Sequence, residues 1–227
     1  MPLRLRMLTT PRLRPMFIVG MLLVFFQNFV GLNTIIYYAP TLLTNIGFGE
    51  SGAILANVGI GAINMLVTIV ALSLIDRLGR KPLLLAGAIE MTLGMVLLAV
   101  VNLLGQHGGT LLMGVTLLGI AIFIASFAVS WGPVPWVMLP AIFWLHIRAG
   151  AVGVCVIFIW LFNLIVALAF PSLLSALGAG PNFLFFAVMT ALAFLFVKKL
   201  VPETKGRSLE AIERDLLHGA SAPTGAT

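Results

Sequence analysis

Near the start of the chain, Gln27, Asn28, Asn33, Tyr37 and Tyr38 crowd into just over three helical turns. Further on, Asn57, Gly61, Asn64 and Thr68 recur at i, i+4, i+7 and i+11, one polar stripe on an otherwise apolar helix. Trp160 and Asn163 stand at i and i+3, and Trp136 closes the run Gly132-Pro133-Val134-Pro135-Trp136. Amides both donate and accept hydrogen bonds and an indole offers a flat apolar face, so together these residues suit a neutral, polyhydroxylated ligand. A charged ligand would want a partner charge, and the apolar stretches offer none apart from Glu90. Singly, such amides also join helices in lipid at about 0.6 kcal/mol apiece, so the case for a site rests on their clustering.

Other chemistries lack their parts. No Ser/His/Asp set, paired carboxylates or phosphate-cradling glycine loop occurs at workable spacing, so the sequence reads as a non-enzyme with no cofactor. His107 and His146 fall in connections and His218 in the tail, which leaves no metal-binding cluster, and the single Cys155 has no partner for a disulfide.

The elements that must carry these residues are set by composition. With 61% hydrophobic residues, a mean hydropathy of +1.15 and 9% charged residues, the chain needs lipid as its solvent. Charges and turn residues divide it into six spans: 16–45, 52–75, 82–104, 111–137, 149–177 and 182–200. The basic residues Arg4, Arg6, Arg12 and Arg14 precede an apolar run too long for a signal peptide, so that run is read as a retained span.

With the N-terminus in the cytoplasm, the second and fourth connections and the tail lie there too, and these segments, together with the cytoplasmic end of the last span, hold all 13 Lys and Arg residues. Topology thus accounts for the net charge of +6 without nucleic acid. The expected layout is a basic cytoplasmic segment over 1–15, a membrane domain over 16–200 and a cytoplasmic tail over 201–227 with a short helix near Ser208 to Leu217. The protein is expected in the cell membrane.

The first span carries Gly31 and the break Tyr37-Tyr38-Ala39-Pro40, and the fourth carries Trp131-Gly132-Pro133-Val134-Pro135. Interrupted helices at matching places in two repeats mark where backbone can face a cavity. The fold class is therefore an all-α membrane protein whose six helices form two three-helix repeats, broken at the first helix of each.

At these residues the chain resembles the sugar porter branch of the major facilitator superfamily, in its C-terminal six-helix half. Gln27-Asn28-Phe29-Val30-Gly31-Leu32-Asn33 with Tyr37-Tyr38 is similar to the family's seventh helix, and Asp76-Arg77-Leu78-Gly79-Arg80-Lys81 to its loop between helices eight and nine. Gly132 to Trp136 resembles the tenth helix, and Pro202-Glu203-Thr204-Lys205-Gly206 the signature after the twelfth. The resemblance implies that Gln27, Asn28, Asn33, Tyr37, Asn64 and Trp136 line a monosaccharide site, with Trp160 and Asn163 beside it. It also implies that Asp76, Arg77, Gly79, Arg80, Arg148 and Glu203 belong to a cytoplasmic gate. Where the family has a Ser-Glu pair at the end of the tenth helix this chain has Pro140-Ala141, and Ile159 lacks an amide often found there.

The family's carriers have twelve helices, so half a transporter is expected, working with an N-terminal half or with a second copy of itself. Alternatively the chain is a non-transporting membrane protein, either a sugar sensor or a truncated remnant. The family's proton-coupling acid lies in the other half, and Glu90 matches no family motif.

Overall fold

The computed structural model describes residues 14–36, 44, 49–104, 110–143 and 147–203. They fold into α1 (Arg14–Phe29), α2 (Glu50–Leu78), α3 (Arg80–Leu104), α4 (Thr110–Val129), α5 (Val134–Ile142), α6 (Arg148–Leu177) and α7 (Ala179–Leu200). With no water in a hydrocarbon core, a helix is the way for one segment to satisfy its own backbone. Among the described residues six stretches are long and apolar enough to cross a membrane, the first covering α1 and residues 32–36 and the fourth most of α4 with α5. The chain is a multi-pass membrane protein. The N-terminal segment, the far end of the first expected span and the expected tail helix lie outside the described residues.

Two expected connections shrink to one residue. The turn expected over 76–81 is Gly79 alone, and the one expected over 178–181 is Gly178 alone. Both have positive φ, 94° and 79°, which lets the chain reverse without the Cβ clash other residues would meet. Each N–H closes the preceding helix, Gly79 onto the Ile75 carbonyl at 3.2 Å and Gly178 onto the Leu174 carbonyl at 2.9 Å. Asn182 Nδ2 then donates to the carbonyls of Leu173 and Gly178, at 3.1 and 2.7 Å.

The packing has the symmetry expected of two triplets. The first helix of each lies on the second helix of the other, α1 on α6 and α4 on α2, while the third helices, α3 and α7, pack on each other. Exchanging the triplets leaves this pattern unchanged. The core between them is fully apolar in places, with Leu84, Met91, Met95 and Phe123 at 0% exposure. The second helices are the least covered. Only 18% of the apolar window of α2 and 22% of that of α6 is buried, against 39% to 56% elsewhere.

Candidate functional site

Both first helices break. Helix α1 ends at Phe29, Gly31 turns at φ 96°, and residues 32–36 resume the helix. Helix α4 ends at Val129, and α5 resumes at Val134. Pro133 and Pro135 have no N–H to continue the ladder, and Gly132 N–H reaches back five residues to the Phe127 carbonyl at 2.8 Å.

A cleft of about 800 Å³ lies where these breaks meet α2. Leu32 and Ile36 enter from beyond the first break, Gly132 and Pro133 from the second, and Ile124, Phe127 and Ala128 from the last turns of α4. The whole polar stripe of α2, Asn57, Gly61, Asn64 and Thr68, lines it as well. Thr68 Oγ1 donates to the Asn64 carbonyl at 2.7 Å, whereas the amides of Asn57 and Asn64 make no hydrogen bond among the described residues. The volume falls within the roughly 300–1,000 Å³ usual for small-molecule sites. Among the described residues no charged side chain lines the cleft, so the chemistry they offer is hydrogen bonding and apolar contact.

Gln27 is held at the second break. Its Nε2 donates to the carbonyls of Trp131 and Gly132 at 3.2 and 3.3 Å, oxygens that a continuous helix would use itself. Its Oε1 is buried with no hydrogen-bond partner among the described residues. One end of the side chain thus steadies the break and the other remains an acceptor.

The remaining residues expected at the site are more dispersed. Asn28 is buried, and its Nδ2 donates to the Val24 carbonyl of its own helix at 3.0 Å. Asn33 is half-buried just beyond Gly31, and Tyr37 lies outside the described residues. Trp136 on α5 and Trp160 on α6 are 48% and 68% exposed, and neither lines the cleft. Half-buried Asn163 sits next to Phe162, whose ring packs edge-on against Phe25 of α1. The structure therefore brings Asn64 and the backbone of the fourth span together and leaves Trp136 and Trp160 exposed and Asn163 half-buried outside the cleft. The apolar walls from Ile124 and Phe127 carried no signal in the sequence, since one Phe among many apolar neighbours does not announce its surroundings.

The basic end of the bundle is built around Glu203. Its carboxylate accepts from the backbone N–H of Arg80 at 3.2 Å and of Lys81 at 3.0 Å, filling orphan donors of the first turn of α3. A Cβ added to Gly79 would stand 3.0 Å from the Glu203 Oε2 atom. Lys81 Nζ donates to the Lys198 carbonyl at 3.3 Å. Arg148 Nε reaches the Phe143 carbonyl at 3.4 Å, and Arg80 Nε is buried without a partner among the described residues. Arg77 is exposed, and the side chain of Asp76, in the last turn of α2, lies outside what the structure describes.

A helical bundle of two triplets, with its first helices broken beside a cleft that carries no charge among the described residues, defines an all-α membrane domain built from two repeats. Residues 3–216 match the family described as Sugar (and other) transporter, and the chain belongs to that family. Among its relatives, YwtG of Bacillus subtilis, named for metabolite transport, is 49% identical over 93% of this chain and 46% of that protein. The glucose transporter GlcP of Staphylococcus epidermidis is 41% identical over 95% of this chain and 48% of its own length. Among solved structures, the inward-open xylose transporter XylE from E. coli superposes with a TM-score of 0.76 at 38% identity, covering 88% of this chain and 41% of that one. The chain thus spans about half the length of the curated relatives it matches.

Proposed function

We propose that this chain is half of a sugar carrier, binding a monosaccharide reversibly and exposing it to alternate sides of the cell membrane with no bond made or broken. One observation carries the reading: the cleft joins the amides of Asn57 and Asn64 to the backbone break at Gly132-Pro133 with no charge in its lining among the described residues. A neutral polyol is the ligand class that such a surface can satisfy. The buried Oε1 of Gln27 adds an acceptor for a hydroxyl. Relatives named for glucose and for xylose transport fit the same class.

In this reading the exposed Trp136 and Trp160 and the half-buried Asn33 and Asn163 face a space closed by another six-helix half or by a second copy, and Tyr37 belongs to the same site. The sparse cover on α2 and α6 supports such a partner. The cluster of Asp76, Arg77, Gly79, Arg80, Arg148 and Glu203 serves as the gate, and the basic end faces the cytoplasm, where short loops collect Lys and Arg.

The test is uptake of labelled hexoses and pentoses by transporter-deficient cells expressing this chain alone, with membrane level checked and Trp136→Ala as control. It is paired with equilibrium binding of the same sugars to the purified chain. Saturable uptake lost in the variant supports a carrier that assembles from copies of this half, and binding without uptake supports a half that needs its complement. Neither binding nor uptake at good expression would sink the sugar reading.

A further inference from the structure

Glu90 stands ten residues past Arg80, about 15 Å along α3 by helix rise and well inside the span Arg80–Leu103. It is exposed, and so are its apolar neighbours on α3, Leu93 at 61% and Val100 at 43%. A carboxyl at that depth is costly unless it finds a partner. Ser126 Oγ supplies one, donating to Glu90 Oε2 at 2.8 Å.

This pair is one rung of a seam between α3 and the end of the fourth span's first half. Three residues before Glu90, Gly87 leaves the space that Ser130 Oγ occupies, and a Cβ there would overlap it. Three residues earlier again, the Leu84 carbonyl accepts from Trp131 Nε1 at 3.1 Å. The rungs 84, 87 and 90 thus meet 131, 130 and 126, and they finish at the helix break. From Ser126 the hydrogen bonds run onward. Its carbonyl accepts from Ser130 Oγ at 2.6 Å and from Ser130 N–H at 3.1 Å, and the Ser130 carbonyl accepts the first N–H of α5, that of Val134, at 3.0 Å.

We propose that Glu90 is a positioning residue for the cleft, tying α3 to the last turn of α4 through Ser126 and so fixing the break that presents Gly132 and Pro133 to the cleft. The Ser126 hydroxyl has one proton, and it lies within reach of both Glu90 and the Ile122 carbonyl, which is 2.6 Å away. Without Glu90 the hydroxyl falls back on Ile122, a bond inside its own helix, and this rung of the seam is lost. Gln27 grips the same break from α1, so the cleft wall is clamped from two sides.

The importance of this clamp for binding rests on the cleft's being the sugar site, whereas the clamp itself does not. Hydrogen–deuterium exchange of the detergent-solubilised full chain, without sugar, reads it directly at the amides of Gly132, Val134 and Val137. Glu90→Leu and Ser126→Ala should each raise exchange there by about three- to tenfold, as expected for losing one side-chain hydrogen bond. The double variant should go no further than either single one. Glu90→Gln keeps an acceptor oxygen and should stay within about twofold of the parent chain. Parent-like exchange in both Glu90→Leu and Ser126→Ala, or an equal rise in Glu90→Gln, would overturn the proposal. Binding of labelled glucose to the same variants then separates the two claims. Weaker binding in Glu90→Leu, restored in Glu90→Gln, ties the clamp to the ligand, and a parent chain that binds no sugar refutes the site while the exchange result stands.

Discussion

The carboxylate of Glu203 caps a helix that begins 123 residues earlier, accepting from the backbone N–H of Arg80 and Lys81 at 3.2 and 3.0 Å. The contact joins the end of the last span to the start of the third, so one side chain closes the α3–α7 pair at its basic end. Removing it leaves two N–H groups of the first turn without this acceptor and takes a negative charge from the positive end of the helix dipole. Glu203→Ala should therefore lower stability by about 1 kcal/mol, read as earlier thermal unfolding in detergent. Glu203→Gln, which keeps oxygen but loses charge, should fall between the two.

Gly87 of α3 faces Ser130, the residue just past the end of α4. Gly87→Ala places a Cβ 2.5 Å from Ser130 Cβ, and that atom is anchored to the backbone and cannot swing away. The expected loss is about 1–3 kcal/mol from overpacking. Ser130→Gly introduced beside it should recover part of the loss, and failure to do so would show that the strain lies elsewhere.

Gln27 tests whether the broken fourth span depends on borrowed donors. Gln27→Met keeps a side chain of similar reach but removes both hydrogen bonds to Trp131 and Gly132. About 1–3 kcal/mol of stability should be lost if those carbonyls stay unpaired, visible in thermal melts and in faster exchange around the break.

Asn64 lies in the cleft, whereas Leu93 lies on the outer side of α3 at 61% exposure. Asn64→Ala should weaken binding of labelled glucose or xylose by about tenfold, while Leu93→Ala leaves it unchanged. Equal affinities in the two variants would move the sugar out of this cleft.

What the sequence disclosed depended on the range over which each signal acts. The α2 stripe was legible because Asn57, Gly61, Asn64 and Thr68 repeat with the helical period, and the structure turns all four to one cleft. The second break was legible because proline removes donors whatever surrounds it. Gln27 stood out in the sequence as an amide inside an apolar span, but the use of its Nε2 on carbonyls 104 and 105 residues away did not. The same holds for Ser126 and Glu90, 36 residues apart, since only packing decides that they share a seam. Spacing placed Trp160 and Asn163 on adjacent turns without revealing that Trp160 would be largely uncovered. Both one-residue turns look longer in sequence, because basic residues and proline suggest a loop where a single glycine suffices.

Those two turns make the ends of the bundle unequal. Gly79 and Gly178 occupy the same place in their triplets, yet the turn at Gly79 is pinned by the Glu203 carboxylate on the N–H groups of Arg80 and Lys81 and the turn at Gly178 by the neutral amide of Asn182. Dissolved ions screen the first kind of contact and scarcely touch the second. Ionic strength therefore acts as a control that reaches one face of the bundle, loosening the joint at Gly79 while the joint at Gly178 keeps its stiffness.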